Sequence, residues 1–325
     1  MYYFSTYFDI NYLPRALCLL DSLERHCESF RIYILCLDDI CLQQVKGLER
    51  PYIIPIGLPE LEAAVAVLSP LKYERSQVEY YFTCGPAFIY YVMEQYQEID
   101  ILTYLDADLY FFSNPQPLFD LFKGHSIGAV PHILSQHHEK VPHANYGKYN
   151  VGWLIFRRDV DGLACLKWWQ DRCIEWCYER LEDGKYADQL YLERWPELFN
   201  GFYAFDYHGA NVGAWNVGDY QLSIRNNKVF VDDDPLIFYH FHGFRKISNN
   251  IYNSNMALTL KSPSSILKHN VFTEYINLLE QYSTGQNPTA SLRNYRSKSF
   301  LRNIIRFVLG LIFRQYILVI KGWVI

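Results

Sequence analysis

At 325 residues and 38.5 kDa, with half of its residues apolar and 17% aromatic, the chain can bury one large core or two modest ones. Its net charge of −5 conceals an asymmetry: all 35 acidic residues lie at or before Glu280, against 23 basic residues there, a balance of −12, and seven basic residues follow in a tail of +7. The acidic body argues against a nucleic-acid platform, the basic, apolar tail points to an anionic surface, and eight cysteines scattered through apolar runs, none in a Cys-x-x-Cys pair, argue against a disulfide scaffold.

The cysteines read as reduced core thiols of a cytosolic protein, and Cys173 and Cys177, one helical turn apart, as packing residues. The N-terminus has no basic stretch of the kind that opens an export signal and enters a strand-like run at once, so the expectation is a protein that is not exported.

In chain order, "YYFSTYF" reads as a strand, "YLPRALCLLDSLERHC" as a helix with Leu13, Leu17, Leu20 and Leu23 on one face, and "FRIYILCLD" as a buried strand. A helix near "DICLQQVKGL", a strand at "YIIPIG" and a helix near "PELEAAVAVL" follow. The Gly-Pro that opens "GPAFIYYVMEQY" predicts a helix N-terminus there. Next come a long strand in "IDILTYLDADLYFF", a helix in "NPQPLFDLFKG", strands at "SIGAVPH" and "YNVGWLIFRRD", and a long helix in "DGLACLKWWQDRCIEWCYERL". A short helix in "YADQLYLERWP" is expected to end at Pro196, and short strands follow to about Lys246. Strand and helix alternating in this way predict an α/β fold with a mostly parallel central sheet and helices on both faces. In such sheets ligands bind beyond the carboxyl ends of the strands.

That edge is where Asp106 and Asp108 fall, between the apolar runs "ILTYL" and "LYFF". Carboxylates are the preferred ligands of hard divalent cations, and two of them one residue apart face the same ion only if the strand bends. Buried without a cation, they would be costly. His240 and His242 in "FYHFHGF" share one face of a strand, and neutral imidazole is a good ligand for Mn²⁺. Gly243 permits close approach of the backbone to a phosphate, and Arg245 and Lys246 add positive charge beside it. Asn150 carries both donor and acceptor groups, and Trp215, in "GANVGAWN", offers a flat apolar ring among small neighbours.

The N-terminal strand and helix, "YLDADLYFF", "YNVGWLIFRRD", "ADQ" and "HFHGF", in that order, resemble the nucleotide-diphospho-sugar transferases of GT-A (Rossmann-like) fold, and most of all the retaining transferases of glycosyltransferase family 8 and their bacterial relatives in cell-surface polysaccharide and lipopolysaccharide assembly. The resemblance covers residues 1 to about 246. It implies that Asp106 and Asp108 hold a Mn²⁺ or Mg²⁺ on the donor diphosphate, with His240, which fits His-x-x-Gly, as third ligand and His242 as the alternative. Asn150 and Gly152 then lie at the donor sugar, Asp188 binds that sugar and Gln189 lies near its anomeric carbon. Thr6, Tyr7 and Asn11 recognise the base, Tyr7 by stacking on uracil. The family continues into Lys-Pro-Trp where this chain reads "FRKIS", so Lys246 or Arg245 is the substitute for the phosphate contact.

The expected organisation is a catalytic domain over residues 1–262 and a helical C-terminal region over 263–325. Within the latter, residues 299–325 form a basic amphipathic helix, with Arg302, Arg306, Arg314 and Lys321 in a stripe of about 120°. Its longest uncharged run is too short to span a bilayer, so it is expected to lie on anionic lipid at the cytoplasmic face of the membrane, a peripheral location suited to a lipid-linked glycan acceptor.

The chain is thus expected to be a metal-dependent hexosyltransferase-like enzyme using a UDP-sugar, with retention, on a glycan or glycolipid. The alternatives are an inactive glycan-binding or assembly subunit and, more remotely, a sugar nucleotidyltransferase. The latter needs a Gly-rich phosphate loop after the first strand, and "STYFDINYLP" contains no glycine.

Overall fold

The structure, a computed structural model, describes residues 1–133, 147–256, 261–283, 316–320 and 323–324. The first half alternates as expected: β1 (Tyr2–Phe8), α1 (Leu13–His26), β2 (Phe30–Cys36), α2 (Asp39–Lys46), β3 (Ile53–Gly57), α3 (Leu58–Ala64), α4 (Leu68–Glu74), α5 (Gln77–Gln95) and β4 (Ile101–Leu105). There follow β5 (Leu109–Phe111), α6 (Gln116–Leu121), β6 (Ile127–Pro131), β7 (Tyr149–Arg157), α7 (Val160–Glu175), α8 (Trp195–Leu198), β8 (Phe202–Ala204) and β9 (Val212–Gly213).

Seven strands form the central sheet in the order β3-β2-β1-β4-β7-β6-β8. β1, β2, β3 and β4 run parallel, β6 is parallel to β8, and β7 is inserted antiparallel between β4 and β6. This is the mostly parallel α/β sheet that the alternation of elements predicts. Period two along each strand divides the core between its faces. Tyr33 and Leu35 of β2 pack with α5 and α7 residues such as Phe88 and Trp169, while Ile32 and Ile34 pack with Leu17 and Leu20 of α1.

Smaller strands follow: β10 (Leu222–Arg225), β11 (Lys228–Val231), β12 (Asp234–Pro235), β13 (Phe238–His240), β14 (Arg245–Ser248) and β15 (Ile251–Asn253). α9 (Thr273–Ser283) packs back on α1, with Tyr275 stacked on Phe241 at 3.6 Å between ring centroids. All eight cysteines are buried and none is in a disulfide, which agrees with their reading as core thiols.

Three local expectations are corrected. α5 begins at Gln77, not at Gly85-Pro86: Ser76 caps it and Glu79 closes a reciprocal capping box, so two turns of satisfied backbone precede the proline. Pro86 sits inside this helix, and the neighbouring Gly85 gives the room that the Tyr7 ring takes, since a Cβ there would lie 2.8 Å from it. Pro196 lies in the first turn of α8 instead of ending a helix, because a missing N–H costs nothing at a helix start.

The third correction concerns the tail. Tyr316–Ile320 is a strand, β16, antiparallel to β15, and Trp323–Val324 (β17) pairs with it in turn, so the helix expected over 299–325 does not extend through its last residues. "YILVI" is rich in β-branched residues, and the open side of β15 supplies the hydrogen bonds it needs. Residues 299–315, where three of the four charges of the expected stripe lie, fall outside the described residues. Among the described residues no helix is long and apolar enough to cross a membrane.

Candidate metal and donor site

β4 delivers Asp106 to the carboxyl edge of the sheet, and the chain then turns sharply, with the Leu109 N–H donating to the Asp106 carbonyl at 3.2 Å. This is the bend that two carboxylates need to face one ion. β5 leaves the turn and pairs antiparallel with β13, setting His240 opposite Leu109. The Phe241 N–H donates to the Asp108 carbonyl at 2.9 Å, so two segments distant in the chain are fixed together by main chain.

The result is a cluster of three groups. His240 Nε2 lies 3.1 Å from Asp108 Oδ1 and 3.5 Å from Asp106 Oδ2. His240 and Asp108 are 3% and 5% exposed, and Asp106 keeps 30% of its side chain open to solvent. His242 is exposed, yet it presents a ligand atom to the same point: ligand atoms of Asp108, His240 and His242 lie within 4.8 Å of one another. The four residues singled out in the sequence for metal binding are therefore brought together, and both histidines, not one, reach the cluster.

The electrostatics fit a cation. Burial raises the Asp106 carboxyl, His240 lowers it and Asp108 raises it again, for a net rise. Burial would raise Asp108 too, but the charge of His240, aided by His242 and Arg15, holds it down at about 2. Burial lowers the His240 imidazole, yet the two carboxylates prevail and raise it. The two crowded acids thus favour the imidazolium form of His240 over the neutral ring. Despite these short approaches, His240 Nε2 is buried without a well-formed hydrogen bond. An orphaned imidazole nitrogen beside two carboxylates is the donor set of a hard or intermediate divalent cation.

The surroundings orient this set. Tyr104, two residues before Asp106 and so on the same strand face, donates its hydroxyl to Asp106 Oδ1 at 2.8 Å. The Asp106 N–H donates to the Gly152 carbonyl at 3.0 Å, and the Gly152 N–H donates to Asn150 Oδ1 at 2.8 Å. A Cβ on Gly152 would lie 2.9 Å from the His240 ring, so the space the glycine leaves is taken by that ring, not by a sugar. Asn150 also meets His132 Nε2 at 2.9 Å, which engages the amide expected at a sugar hydroxyl. Buried Asn211, at φ +54°, approaches His240 Nδ1 with its Oδ1 at 3.4 Å. Trp215 stands at 87° to the His240 ring, 5.2 Å between centroids, and donates to the His132 carbonyl, so it buttresses the histidine.

The remaining expected residues divide. Asp188 is buried, follows Ala187 at φ +46°, and interacts electrostatically with Asp106; Gln189, half-buried, opens the 3₁₀ turn Leu190–Arg194. Thr6 is buried on β1 with its hydroxyl unpartnered, whereas Tyr7 stacks on Tyr104 at 5.6 Å, so one face of the ring expected to meet a base is covered. Asn11 donates to Asp9 in the turn before α1. Gly243, at φ +70°, bends the chain after His242, and a Cβ there would strike Asn255. Lys246 differs from its expected role: its Nζ lies 2.6 and 2.8 Å from Oε1 and Oε2 of Glu280, and Oε1 also accepts from the Tyr252 hydroxyl. With its charge paired by α9, it does not stand free for a phosphate. Sequence reading overlooked Tyr104, which period two alone places beside Asp106, and Asn211, which lies within the "GANVGAWN" segment.

Asp188 yields a pH prediction. Burial first, and then the Asp106 charge, push its carboxyl up from 3.8 to about 7. Between pH 4 and 7 the folded state keeps a proton that the unfolded chain has lost, so this residue's contribution to stability is complete below pH 4 and lost as pH rises through 7. In urea unfolding without metal, wild type is expected to lose up to roughly 4 kcal/mol relative to Asp188→Asn between pH 4 and 8. Parallel pH profiles for the two proteins would contradict this.

Over 250 residues the chain is 34% identical to the uncharacterized protein YfnF of Bacillus subtilis (strain 168), covering 73% of this chain and 80% of that one, and it belongs to the YfnF family. It is also 29% identical over 258 residues to YfnD of the same organism, covering 78% and 81%. No family model matches. Among solved structures it is similar to the galactosyltransferase LgtC in complex with donor and acceptor sugar analogs, with 15% identity over 86% of this chain and 95% of that one and a TM-score of 0.46. It is similar too to mouse xyloside xylosyltransferase 1, with 17% identity over 63% and 85% and a TM-score of 0.43.

Proposed function

We propose that the chain is a divalent-cation-dependent glycosyltransferase that takes a UDP-sugar as donor and transfers the sugar, with retention, to a glycan or glycolipid at the cytoplasmic face of a membrane. The observation that carries this reading is the convergence of Asp106, Asp108 and His240 at the carboxyl edge of the sheet, with a buried imidazole nitrogen left without a hydrogen bond.

Asp106, Asp108 and His240 would hold Mn²⁺ or Mg²⁺, with His242 within reach as a further ligand. When bound, the cation neutralises the charge that develops on a diphosphate leaving group. Histidine ligates as the neutral imidazole, whereas the two carboxylates favour the imidazolium, so metal and proton compete for His240. Tyr104 fixes the Asp106 carboxylate, and Asn211 and Trp215 fix the imidazole, which keeps the geometry ready before the donor arrives. Asp188 and Gln189 are assigned to the donor sugar and its anomeric carbon. The basic stretch from Arg293 to Arg314 is assigned to the anionic membrane surface.

The test is thermal unfolding and donor hydrolysis across a panel of nucleotide sugars, with and without Mn²⁺. A donor at about 100 times its Kd adds roughly 2.7 kcal/mol of stability. One nucleoside-diphosphate sugar should protect only with metal and release nucleoside diphosphate. Binding without release identifies a glycan-assembly subunit, and no response to any donor overturns the reading.

A further inference from the structure

With Lys246 paired to Glu280, two cations among the described residues remain beside the loop after β13, Arg245 on β14 and Arg15 of α1, and Arg15 is the one that both bonds to the loop and acts by its charge on Asp108. Its Nη2 donates to the Phe244 carbonyl at 3.3 Å, directly on the segment that carries His242 and Gly243, and its guanidinium lies 4.8 Å from the centre of the Tyr12 ring. That segment is itself anchored to the metal cluster, through Phe241 N–H to the Asp108 carbonyl and Phe244 N–H to the Phe241 carbonyl at 3.0 Å. Arg15 lies close enough for its charge to act on Asp108.

Half-buried, the Arg15 guanidinium has no carboxylate within ion-pair distance among the described residues, a condition it shares with Arg75 and Arg158, whose forks are filled by carbonyls and neutral side chains, and with Arg245. A guanidinium has five N–H donors in a planar fork suited to phosphate oxygens, and one long bond to a carbonyl leaves most of that capacity unspent. A cation held beside a metal site without its own counter-anion opposes the binding of a bare metal ion, and favours a metal that arrives with an anion.

We propose that Arg15 is the diphosphate-binding cation of this site, filling on α1 the role that the sequence assigned to Lys246 or Arg245. The inference rests on the reading of the site as one for a metal and a nucleoside diphosphate. It makes the first helix part of the donor site and gives a second reason, besides packing, for the register of α1 against the loop of residues 241–244.

The two roles open to Arg15 leave different signatures. If it binds phosphate, Arg15→Gln weakens UDP, measured by calorimetry with Mn²⁺ present, by about 10- to 100-fold, the loss expected for hydrogen bonds to a charged group. It leaves uridine binding unchanged, and Mn²⁺ alone, followed by electron paramagnetic resonance, binds as well as in wild type or more tightly because a repelling charge is gone. Arg15→Lys, which keeps the charge but not the fork, recovers part of the UDP affinity.

If Arg15 only braces the loop, Mn²⁺ alone and UDP weaken together in Arg15→Gln, and the proposal is overturned. UDP affinity within about threefold of wild type in a folded Arg15→Gln overturns it as well, while leaving the site's function intact. Wild type binding none of UDP, GDP or ADP with Mn²⁺ would instead remove the functional reading and this inference with it.

Discussion

Asp108→Asn is expected to lower Mn²⁺ affinity at least about 100-fold, more than the 10- to 100-fold lost when only a supporting group around a metal is removed. Donor cleavage should fall with it. Asp108 is buried, its carboxyl is held at about 2, and it lies closer to His240 than Asp106 does, at 3.1 against 3.5 Å. The amide keeps the shape of the side chain, so the fold should survive. What disappears is the anionic oxygen that a hard cation needs. Metal titration followed by electron paramagnetic resonance, with unfolding curves as a control, checks this. Unchanged Mn²⁺ affinity would place any metal elsewhere.

The second large effect is expected at a residue with no side chain. In Gly152→Ala the new methyl would lie 2.6 Å from Asn150 Oδ1 and 2.9 Å from Cε1 and Nδ1 of His240. Neither neighbour can yield freely, since Asn150 caps the Gly152 N–H and His240 is buried between Asn211, Trp215 and the carboxylates. Displacing the imidazole should cost about 10-fold or more in Mn²⁺ affinity. Overpacking the strand should also lower stability by about 1–3 kcal/mol. Equal metal affinity in the variant, measured alongside its urea midpoint, would show that the ring does not set the metal's position.

The sequence told most where chemistry and periodicity coincide. Asp106 and Asp108 interrupt apolar runs, and His240 and His242 share a strand face, so both halves of the cluster are legible in the order of residues alone. Their meeting depends on β5 pairing with β13, a contact between segments more than 100 residues apart, and no local pattern records that. The same limit explains Lys246 and Arg15. One is neutralised by Glu280 on α9, the other is brought to Phe244 by the packing of α1, and both outcomes are decided by partners that lie far along the chain.

Errors of the opposite kind arose where a strong local signal was overruled. Gly85-Pro86 looks like a helix start, but the capping box at Ser76 begins the helix nine residues earlier. The helical periodicity of the tail likewise breaks at Tyr316–Ile320, where an open strand edge at Ile251–Asn253 offers pairing that a short apolar segment readily takes.

The most direct measurement is anomalous diffraction from crystals grown with Mn²⁺ and UDP. A single strong peak bounded by Asp106, Asp108 and His240, with the diphosphate on its open side, is the expected result. Bound UDP with no metal at that point, or a metal held by other residues, would contradict the assignment of this cluster as the donor site.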